Sequence, residues 1–597
     1  MATTTKMEDD SPSKDTIDPP SESTSHSWRF WCVFLALCLI SFISGLDATI
    51  VVTALPTITR EIGGQEQYVW IANSFIIAST VPQPLFAQIS NIFGRRNPML
   101  LAMMLFTLGS GIAAGARNPA MLIGGRTVQG LGIGGAYVLL DVVCCDMVPL
   151  RERGKYLPMM LSAAAIGTTV GPVIGGSLAQ KNWRWIFYLN LPISGLALAI
   201  TFFFLNVKYT RNPTWRHALA RVDFLGNAIF IPSILAILLG LILGGTQFPW
   251  GSFHIILPLV LGFLGWALFH IHQASPICKE PSVPPRLFMN RTSATGFILT
   301  FLSSMLLQTV AYFMPVYFQA VRGTSPLRSG VDFLPYACAI IPFSIVAGVL
   351  ISKVGFYRPL HLAGFALNAI GVGLLSILNE NSSKAAWACF QIIAAAGIGI
   401  LLSSILPAIL AALPESDVAT AAGTYSFVRS FGYVWGVTIP SIVFNGQFDK
   451  YSYRIGDATV RAALANGAAY GFASGGFIPE LALETRIEVV GVYVTALQTV
   501  WQVAVAFSCL GFFCVFVEKH VELRRELHTE YGLEEGGRRS AAVQGQKITD
   551  SGVAEEEGRS GSEGSEETTL KGGGRGVNIQ VAGGAALNEK VVPIGTA

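Results

Sequence analysis

Charged residues are scarce in this 597-residue chain: Asp, Glu, Lys and Arg together make up 13% of it, whereas hydrophobic residues make up 52%. Soluble domains carry roughly a quarter charged residues, so the shortage argues against a soluble fold. The apolar residues fall into repeated runs of about 20, the length that an α-helix needs to cross a hydrocarbon core of roughly 30 Å. The composition therefore predicts a membrane protein with many spanning helices.

Signatures of enzymes and metal proteins are also absent from the sequence. The nine cysteines form no Cys-x-x-Cys pair and no Cys/His spacing typical of zinc sites. No Walker loop and no dinucleotide fingerprint occurs, which disfavours an ATP-driven pump or a nicotinamide enzyme. We expect no enzyme activity, cofactor, metal or nucleic-acid partner. No cleavable signal peptide precedes the first apolar run, so we expect that run to stay as a membrane anchor.

Fourteen apolar segments are long enough to span a bilayer, and an even number places both chain ends on the same side. Lys and Arg in the short loops favour the amino-terminal side by fourteen to seven, and such an excess marks the cytoplasm. Both termini are therefore predicted to be cytoplasmic, and the long segment 445–489 external. The predicted spans are 30–55, 68–88, 99–117, 121–147, 157–179, 186–206, 224–244, 254–273, 293–319, 328–351, 360–379, 387–412, 420–444 and 490–517.

The predicted fold class is an all-α polytopic membrane protein built from two six-helix bundles. The amino-terminal bundle covers 30–206 and the carboxy-terminal bundle covers 293–517. A linker, 207–292, carries two extra transmembrane helices at 224–244 and 254–273, which completes the count of 14. Duplicated halves of this kind place a substrate site between them in many transporters.

Hydrophilic extensions flank the predicted bundles. Residues 1–29 are rich in Ser, Thr and Asp, and 518–597 end in a tail rich in Gly, Ser and Glu. Such segments cannot bury enough apolar surface to fold, so both are predicted to be disordered in the cytoplasm. Of two glycosylation sequons, Asn290 would face the cytoplasm and stay bare, whereas Asn381 lies in a short external loop and is the predicted glycan acceptor.

Two charged residues lie deep within the predicted spans. Asp47 lies roughly 12 Å below the outer end of the first span, and Arg126 roughly 8–12 Å below the same side of the fourth. A charge at this depth costs at least about 2.5–3.5 kcal/mol and usually has a partner or a function. We expect the two to pair, either as a site that loads and releases a proton or as a static pair that fixes helix packing. Asp141, near the cytoplasmic end of the fourth span, is an alternative titrating group.

Several motifs in order along residues 30–530 resemble the major facilitator superfamily, and within it the 14-helix drug:proton antiporters. Later stretches, including Phe427-x-Arg429-Ser430-Phe431-Gly432, resemble fungal carriers that export toxins and secondary metabolites, such as aflatoxin and HC-toxin efflux carriers. One departure is Asn91, which stands where the family usually has an acidic residue. The main motifs are Leu46-Asp47-x-Thr49, Gly94-Arg95-Arg96, Arg126-x-x-Gln129-Gly130, Asp146-x-Val148-Pro149, Gly167-x-x-x-Gly171-Pro172-x-x-Gly175-Gly176 and Trp183-Arg184-Trp185.

The resemblance implies roles for these residues. Asp47 and Arg126 would couple proton movement to transport, and Arg95 and Arg96 would form a cytoplasmic gate with Asp146. The segment with Gly167, Gly171, Pro172, Gly175 and Gly176 would be the flexible antiporter motif, because proline removes a backbone hydrogen bond and glycine admits a close neighbour.

Aromatic and amide side chains within the spans are candidates for a substrate cavity, because amphipathic ligands bind apolar surfaces that offer few polar anchors. Trp183, Trp185 and Trp250 are predicted to lie in the interfacial belt. Arg429, Glu518 and His520 are interpreted as residues at the membrane boundary. The cavity candidates are Asn73, Gln129, Tyr137, Gln308, Tyr317, Gln319, Tyr425 and Phe427.

The predicted function is proton-coupled efflux of a small hydrophobic or amphipathic molecule, such as a mycotoxin, secondary metabolite or drug. The expected partners are this substrate, protons and the lipid bilayer, and the protein is expected to be a monomer in the plasma membrane, with a vacuolar or vesicle membrane as the alternative. A second interpretation is a transporter of a polar solute such as a basic amino acid or siderophore, which would need more acidic residues in the cavity. A non-transporting receptor is a third.

Overall fold

The computed structural model describes residues 27–62, 68–179, 181–206, 215–245, 247–465, 467–473 and 477–523. Over these residues the chain forms α-helices joined by short loops, with no β-strand beyond an isolated bridge between Gly244 and Phe248. The predicted all-α class is therefore confirmed. The predicted disordered extensions lie outside the described residues, apart from 27–29 and 518–523.

Eight helices make up the amino-terminal half of the described chain. One of them, α5, begins where the Asn118 side chain accepts a hydrogen bond from the Met121 backbone at 2.8 Å, with Pro119 in the first turn. The eight are α1 (Trp28–Ile62), α2 (Tyr68–Thr80), α3 (Gln83–Phe93), α4 (Arg96–Ala114), α5 (Pro119–Met147), α6 (Leu150–Ala179), α7 (Trp185–Tyr188) and α8 (Asn190–Phe204).

Two long helices, joined by a tight turn near Trp250, occupy the middle of the chain. The Asp223 side chain caps the first of them through the Gly226 backbone at 2.8 Å. The helices of this region are α9 (Trp215–Ala220), α10 (Phe224–Leu243), α11 (Phe253–Ala274) and α12 (Arg286–Met289). The predicted extra spans, 224–244 and 254–273, correspond to α10 and α11.

The carboxy-terminal half of the described chain contains six long α-helices and three short ones. Its helices are α13 (Arg291–Val316), which continues into a π-helical turn at Tyr317–Val321, α14 (Pro326–Val354), α15 (Arg358–Leu375), α16 (Lys384–Ala411), α17 (Val418–Tyr451), α18 (Ala458–Leu464), α19 (Ala469–Phe472), α20 (Phe477–Glu480) and α21 (Leu483–Cys514). The predicted external segment 445–489 therefore contains the end of α17, the three short helices and the start of α21.

Twelve helical segments among the described residues are long and apolar enough to cross a bilayer. Two predicted spans are not among the twelve. Span 68–88 is divided between α2 and α3, because the chain turns at Val81-Pro82 and proline cannot donate to a continuous helix. Span 157–179 lies in α6, which is rich in small residues and less apolar. The chain is a multi-pass membrane protein, and the count of 14 spans stays a prediction.

The extra helices pack across the seam between the halves. Phe230 of α10 lies between Phe269 of α11, with ring centroids 4.8 Å apart, and Phe427 of α17 at 5.1 Å. Ile77 of α2 belongs to the same buried apolar cluster. Because α2 is in one half and α17 in the other, α10 and α11 cover one side of their interface.

Candidate transport site

Asp47 lies at the centre of a buried polar cluster in the amino-terminal half. It sits on α1 with 0% of its surface exposed. One carboxylate oxygen, Oδ2, forms an ion pair with Arg126 of α5. The other, Oδ1, accepts hydrogen bonds from Gln129 Nε2 at 2.8 Å and from Asn190 Nδ2 at 2.6 Å. Residues from α1, α5 and α8 therefore meet at one carboxylate, where the sequence analysis expected Arg126 alone.

The surroundings of Arg126 are partly aromatic. Its guanidinium lies 4.2 Å from the centroid of the Phe75 ring, close enough for a cation–π interaction. It also donates to Gln129 Oε1 at 2.7 Å, and Gln129 in turn donates to Ser110 at 2.9 Å. Gln129, a cavity candidate in the sequence analysis, is thus part of the ion-pair cluster and completely buried.

Two polar atoms of this cluster lack a partner. Arg126 Nε and Asn190 Oδ1 are both buried without a hydrogen bond. A buried polar group left unsatisfied costs about 1–3 kcal/mol. The cluster lies entirely within the amino-terminal half, because α1, α5 and α8 all belong to that half. At its centre is a buried carboxylate held by one guanidinium and two amides.

A second buried ion pair joins the two halves. Asp141 of α5 accepts hydrogen bonds through Oδ2 from Arg429 at 3.1 Å and from Ser426 at 2.6 Å, both on α17. The Arg429 guanidinium lies 5.1 Å from the Tyr425 ring. The interpretation of Arg429 as a boundary residue is therefore wrong. Its charge is retained inside the protein because a carboxylate from the other half compensates it.

Tyrosines lie close to the two ion pairs. Tyr137 of α5 hydrogen-bonds to Ser44 and interacts electrostatically with both Asp47 and Arg429. Tyr336 of α14 lies near Tyr433, and its hydroxyl is buried without a partner. Tyr137 and Tyr425, both cavity candidates, thus lie in this central region.

Arg95 and Asp146 meet at the opposite end of α5 from Arg126. Arg95 Nε lies 2.7 Å from Asp146 Oδ2, with both side chains buried. Arg95 also donates to Asn91 Oδ1 at 2.8 Å, and Asn91 donates to Thr420 of α17 at 3.1 Å. The amide at position 91 thereby links the Arg95 cluster to the other half without a charge.

Arg96 does not join that cluster. Its guanidinium donates to the Phe202 carbonyl of α8 at 2.6 Å and lies 4.9 Å from the Phe202 ring centroid. Of the two cations expected at this end, the structure brings only Arg95 to Asp146. We name the region around Arg95, Asp146 and Thr420 the Arg95 end of the molecule.

The glycines of α6 allow it to pack closely on α1. A Cβ atom added to Gly167 would lie 2.1 Å from the Phe42 carbonyl oxygen, and one added to Gly171 would lie 2.1 Å from Thr49 Oγ1. Gly175 is buried, whereas a Cβ atom on Gly176 would meet nothing within 4 Å. Pro172 lies within α6, and its side chain is outside the described residues.

Other cavity candidates lie away from the centre. Tyr317 donates to the Asn379 carbonyl of the loop after α15 at 2.9 Å, and Gln319 donates to Ser329 of α14 at 3.4 Å. Phe427 packs against Phe230 at the extra helices. Asn73 and Gln308 are partly exposed on α2 and α13.

Two further predictions concern surface residues. Asn381 is exposed in the loop between α15 and α16, as a glycan acceptor must be. The interfacial placement of Trp183 is wrong: its ring is completely buried, and Nε1 donates to Glu61 at 2.9 Å. Arg184 also pairs with Glu61, and this hydrogen bond lowers the pKa of the Glu61 carboxyl.

A polar cluster that the sequence analysis did not identify lies at the start of α10. Burial opposes ionisation of Asp223, but hydrogen bonds from His272, the Gly226 backbone, Gln273 and Cys278 outweigh it and lower the pKa of this carboxyl. Burial and the neighbouring Asp223 raise the pKa of the Cys278 thiol to about 12. Spacing could not predict this cluster, because its residues come from three separate segments.

Comparison with known proteins places the chain in a family. The Major Facilitator Superfamily model matches residues 37–437. The chain is 52% identical over 537 residues to the MFS efflux transporter aclA of Aspergillus oryzae, covering 90% of this chain and 97% of that protein. It is 46% identical over 521 residues to the efflux pump FUS6 of Gibberella moniliformis, covering 87% and 92%.

A solved structure has the same fold. The human organic anion transporter MFSD10 covers 82% of this chain and 100% of its own, with a TM-score of 0.54 at 15% identity. At this identity the likeness concerns the fold alone. The family match spans more than half of the chain and the relatives align over nearly their whole length, so the chain belongs to the major facilitator superfamily.

Proposed function

We propose that this protein exports a small hydrophobic or amphipathic molecule, a secondary metabolite or toxin, in exchange for protons. Two relatives that align with nearly the whole chain, aclA and FUS6, are named as an efflux transporter and an efflux pump, which supports export. The observation that carries the proton coupling is the fully buried Asp47, held by Arg126, Gln129 and Asn190.

The ion pair of Asp47 supports a role for this residue in proton exchange. Breaking a buried pair by removing one charge leaves the other unpaired at a cost of about 3–5 kcal/mol. A proton on Asp47 therefore frees Arg126, and Nε of Arg126 already lacks a partner. Gln129 accepts a hydrogen bond from Arg126 and donates one to Asp47. A shift of either charged side chain therefore also changes the hydrogen bond between Gln129 and the other.

The inter-half contacts act as the gate in this proposal. Asp141 with Arg429, and Asn91 with Thr420, hold α5 and α3 against α17. Opening of the Arg95 end separates these partners, whereas the Asp47 pair stays within one half. Proton loading at Asp47 and gate opening are thus separate events, linked along α5, which carries Arg126, Asp141 and Asp146.

The orientation and location of the protein complete the proposal. The excess of Lys and Arg in the loops at the Arg95 end supports a cytoplasmic position for that end. The described conformation, with this end closed, then corresponds to a state that is shut toward the cytoplasm. We place the protein in the plasma membrane as a monomer, since export from the cell requires that membrane.

Transport by reconstituted protein tests the proposal. Rhodamine 6G, an amphipathic dye, would be supplied outside proteoliposomes, and its accumulation inside them would be measured with and without a pH gradient. Proton flux would be reported in parallel by a pH-sensitive dye. We expect Asp47→Asn to abolish pH-driven accumulation while leaving dye exchange without a gradient measurable. That pattern separates loss of coupling from loss of folding or binding.

A matched control is Glu61→Gln, which removes an acid from the carboxyl end of the same helix. Glu61 is half exposed and pairs with Arg184, so its loss should leave the gradient effect within about twofold, because exposed pairs contribute about 0–1 kcal/mol. Gradient-driven accumulation that persists in Asp47→Asn would remove Asp47 from the coupling mechanism.

A further inference from the structure

Three metal-binding side chains converge where the two extra helices meet the following loop. Asp223 precedes α10, His272 lies in the last turn of α11, and Cys278 lies in the loop after it. Asp223 Oδ1 lies 3.0 Å from His272 Nε2, and Asp223 Oδ2 lies 3.3 Å from Cys278 Sγ. One ligand atom from each residue falls within 4.8 Å of the other two.

These separations bring the three ligand atoms within reach of one zinc ion, although the hydrogen-bonded pair at 3.0 Å must lengthen and the more widely separated atoms must approach. Zinc binds sulfur at about 2.3 Å and nitrogen or oxygen at about 2.0–2.2 Å in a tetrahedron, which places neighbouring ligand atoms roughly 3.3–3.8 Å apart. A thiolate, an imidazole and a carboxylate form a ligand set typical of zinc, whereas magnesium and calcium prefer oxygen ligands. We propose that Asp223, His272 and Cys278 bind a zinc ion, with a water molecule as the fourth ligand.

The charge balance supports a divalent cation. Binding requires Cys278 to release its proton to solvent, which leaves a thiolate and a carboxylate with a total charge of −2 beside a neutral imidazole. A divalent ion neutralises that charge. The ion replaces two hydrogen bonds that Asp223 now makes, those with His272 and Cys278, and leaves the capping bond to Gly226 at 2.8 Å intact.

The scaffold around the three residues is already fixed. Gln273 donates to Asp223 Oδ2, and its own oxygen accepts from the Val283 backbone at 3.1 Å, which folds the loop back on α11. Gly226 leaves the space beside the carboxylate clear, because a Cβ atom there would lie 2.0 Å from Asp223 Oδ2. The ligands of an ion would therefore need only small side-chain movements.

The position of the site gives the ion a consequence for the gate. Beyond Cys278, Ser282 donates to Gln88 of α3 at 3.0 Å, and Arg286 pairs with Asp417, next to α17, at 2.8 Å. The loop thus contacts both halves at the Arg95 end. A zinc ion that binds the start of this loop to α10 and α11 would make the loop more rigid where it crosses the closed gate.

Metal analysis of the purified full-length protein tests this proposal without reference to transport. We expect about one zinc ion per chain after dialysis against a weak chelator. With Co²⁺ in place of zinc, we expect a sulfur-to-metal charge-transfer band and tetrahedral visible bands, and Mg²⁺ should not compete. Cys278→Ser should abolish the charge-transfer band.

Cys278→Ser and His272→Ala should each weaken zinc binding by more than the roughly 10–100-fold typical for loss of a residue that merely supports a ligand. The matched controls are His270→Ala, two residues away on the same helix, and Cys338→Ser, an exposed thiol. Both should bind zinc as the unmodified protein does. No Co²⁺–thiolate band in the unmodified protein, or zinc content equal in all four variants, would overturn the proposal. Because Cys278→Ser conserves size, a folding failure of His272→Ala leaves the test intact.

Discussion

Asp47 and Asp141, two buried carboxylates, are each paired with an arginine on another helix. A carboxylate inside the bundle loses its hydration, and only a partner with good geometry offsets that loss. Asp47 is matched within its own half, whereas Asp141 is matched by Arg429 across the interface. In the proposed mechanism, the Asp–Arg pair within one half serves proton coupling, because its helices move together. The Asp–Arg pair between the halves serves as part of the gate, because its helices separate.

The Asp141–Arg429 pair gives a prediction at the level of single residues. Asp141→Asn and Arg429→Gln should each destabilise the purified protein by about 3–5 kcal/mol, because each leaves one buried charge without its partner. The double variant should be more stable than either single variant, since it removes both charges. Chemical denaturation or thermal unfolding in detergent measures the three values.

Additive losses would contradict that prediction. If the double variant is as unstable as the sum of the two single variants, the charges do not interact and Arg429 has another role. The exposed pair formed by Glu61 and Arg184 is the control, because its coupling should fall within about 0–1 kcal/mol.

At the level of elements, the glycines of α6 define how closely it packs on α1. Gly167→Ala should destabilise the protein or block transport, because its Cβ atom would lie 2.1 Å from the Phe42 carbonyl oxygen and backbone must move to relieve the clash. Overpacking of this kind costs roughly 1–3 kcal/mol. Unfolding of the purified variant measures the cost.

Gly176→Ala provides a control on the same helix. A Cβ atom there meets nothing within 4 Å, so alanine should be neutral, or stabilising by up to about 1 kcal/mol through its better helix propensity. Equal effects of the two substitutions would show that the conformational freedom of glycine, rather than close approach to α1, matters in this motif.

Only some of the partners of the buried charges could be predicted from the sequence. Asp47 and Arg126 could be paired from the sequence because depth along two helices is countable from their ends. Arg429 could not be placed, since whether an arginine in an apolar helix faces the interface depends on a carboxylate 288 residues away. Gln129 and Asn190 were likewise invisible as partners of Asp47, because neutral amides carry no signal of depth. Asp223, His272 and Cys278 were not predicted as a cluster because they come from three separate segments of the chain.

At the level of the whole molecule, the Arg95 end is closed by contacts between α3, α5 and α17. Transport by alternating access requires that these contacts separate once in each cycle. A covalent link between the halves at this end should therefore stop transport without unfolding the protein. Asn91 and Thr420 suit such a link, because their side chains are 3.1 Å apart and neither carries charge.

We expect Asn91→Cys with Thr420→Cys, in a background without the nine native cysteines, to form a disulfide on mild oxidation and to lose transport of rhodamine 6G. Reduction should restore transport, because the halves are then free to separate. The control pair is Thr107→Cys with Ser194→Cys, whose hydroxyls lie 2.9 Å apart on α4 and α8 of the same half. Cross-linking there should leave transport intact, since both helices move as one body. Transport that survives an Asn91–Thr420 link would mean that α3 and α17 stay together throughout the cycle, and that the Arg95 end is not the gate.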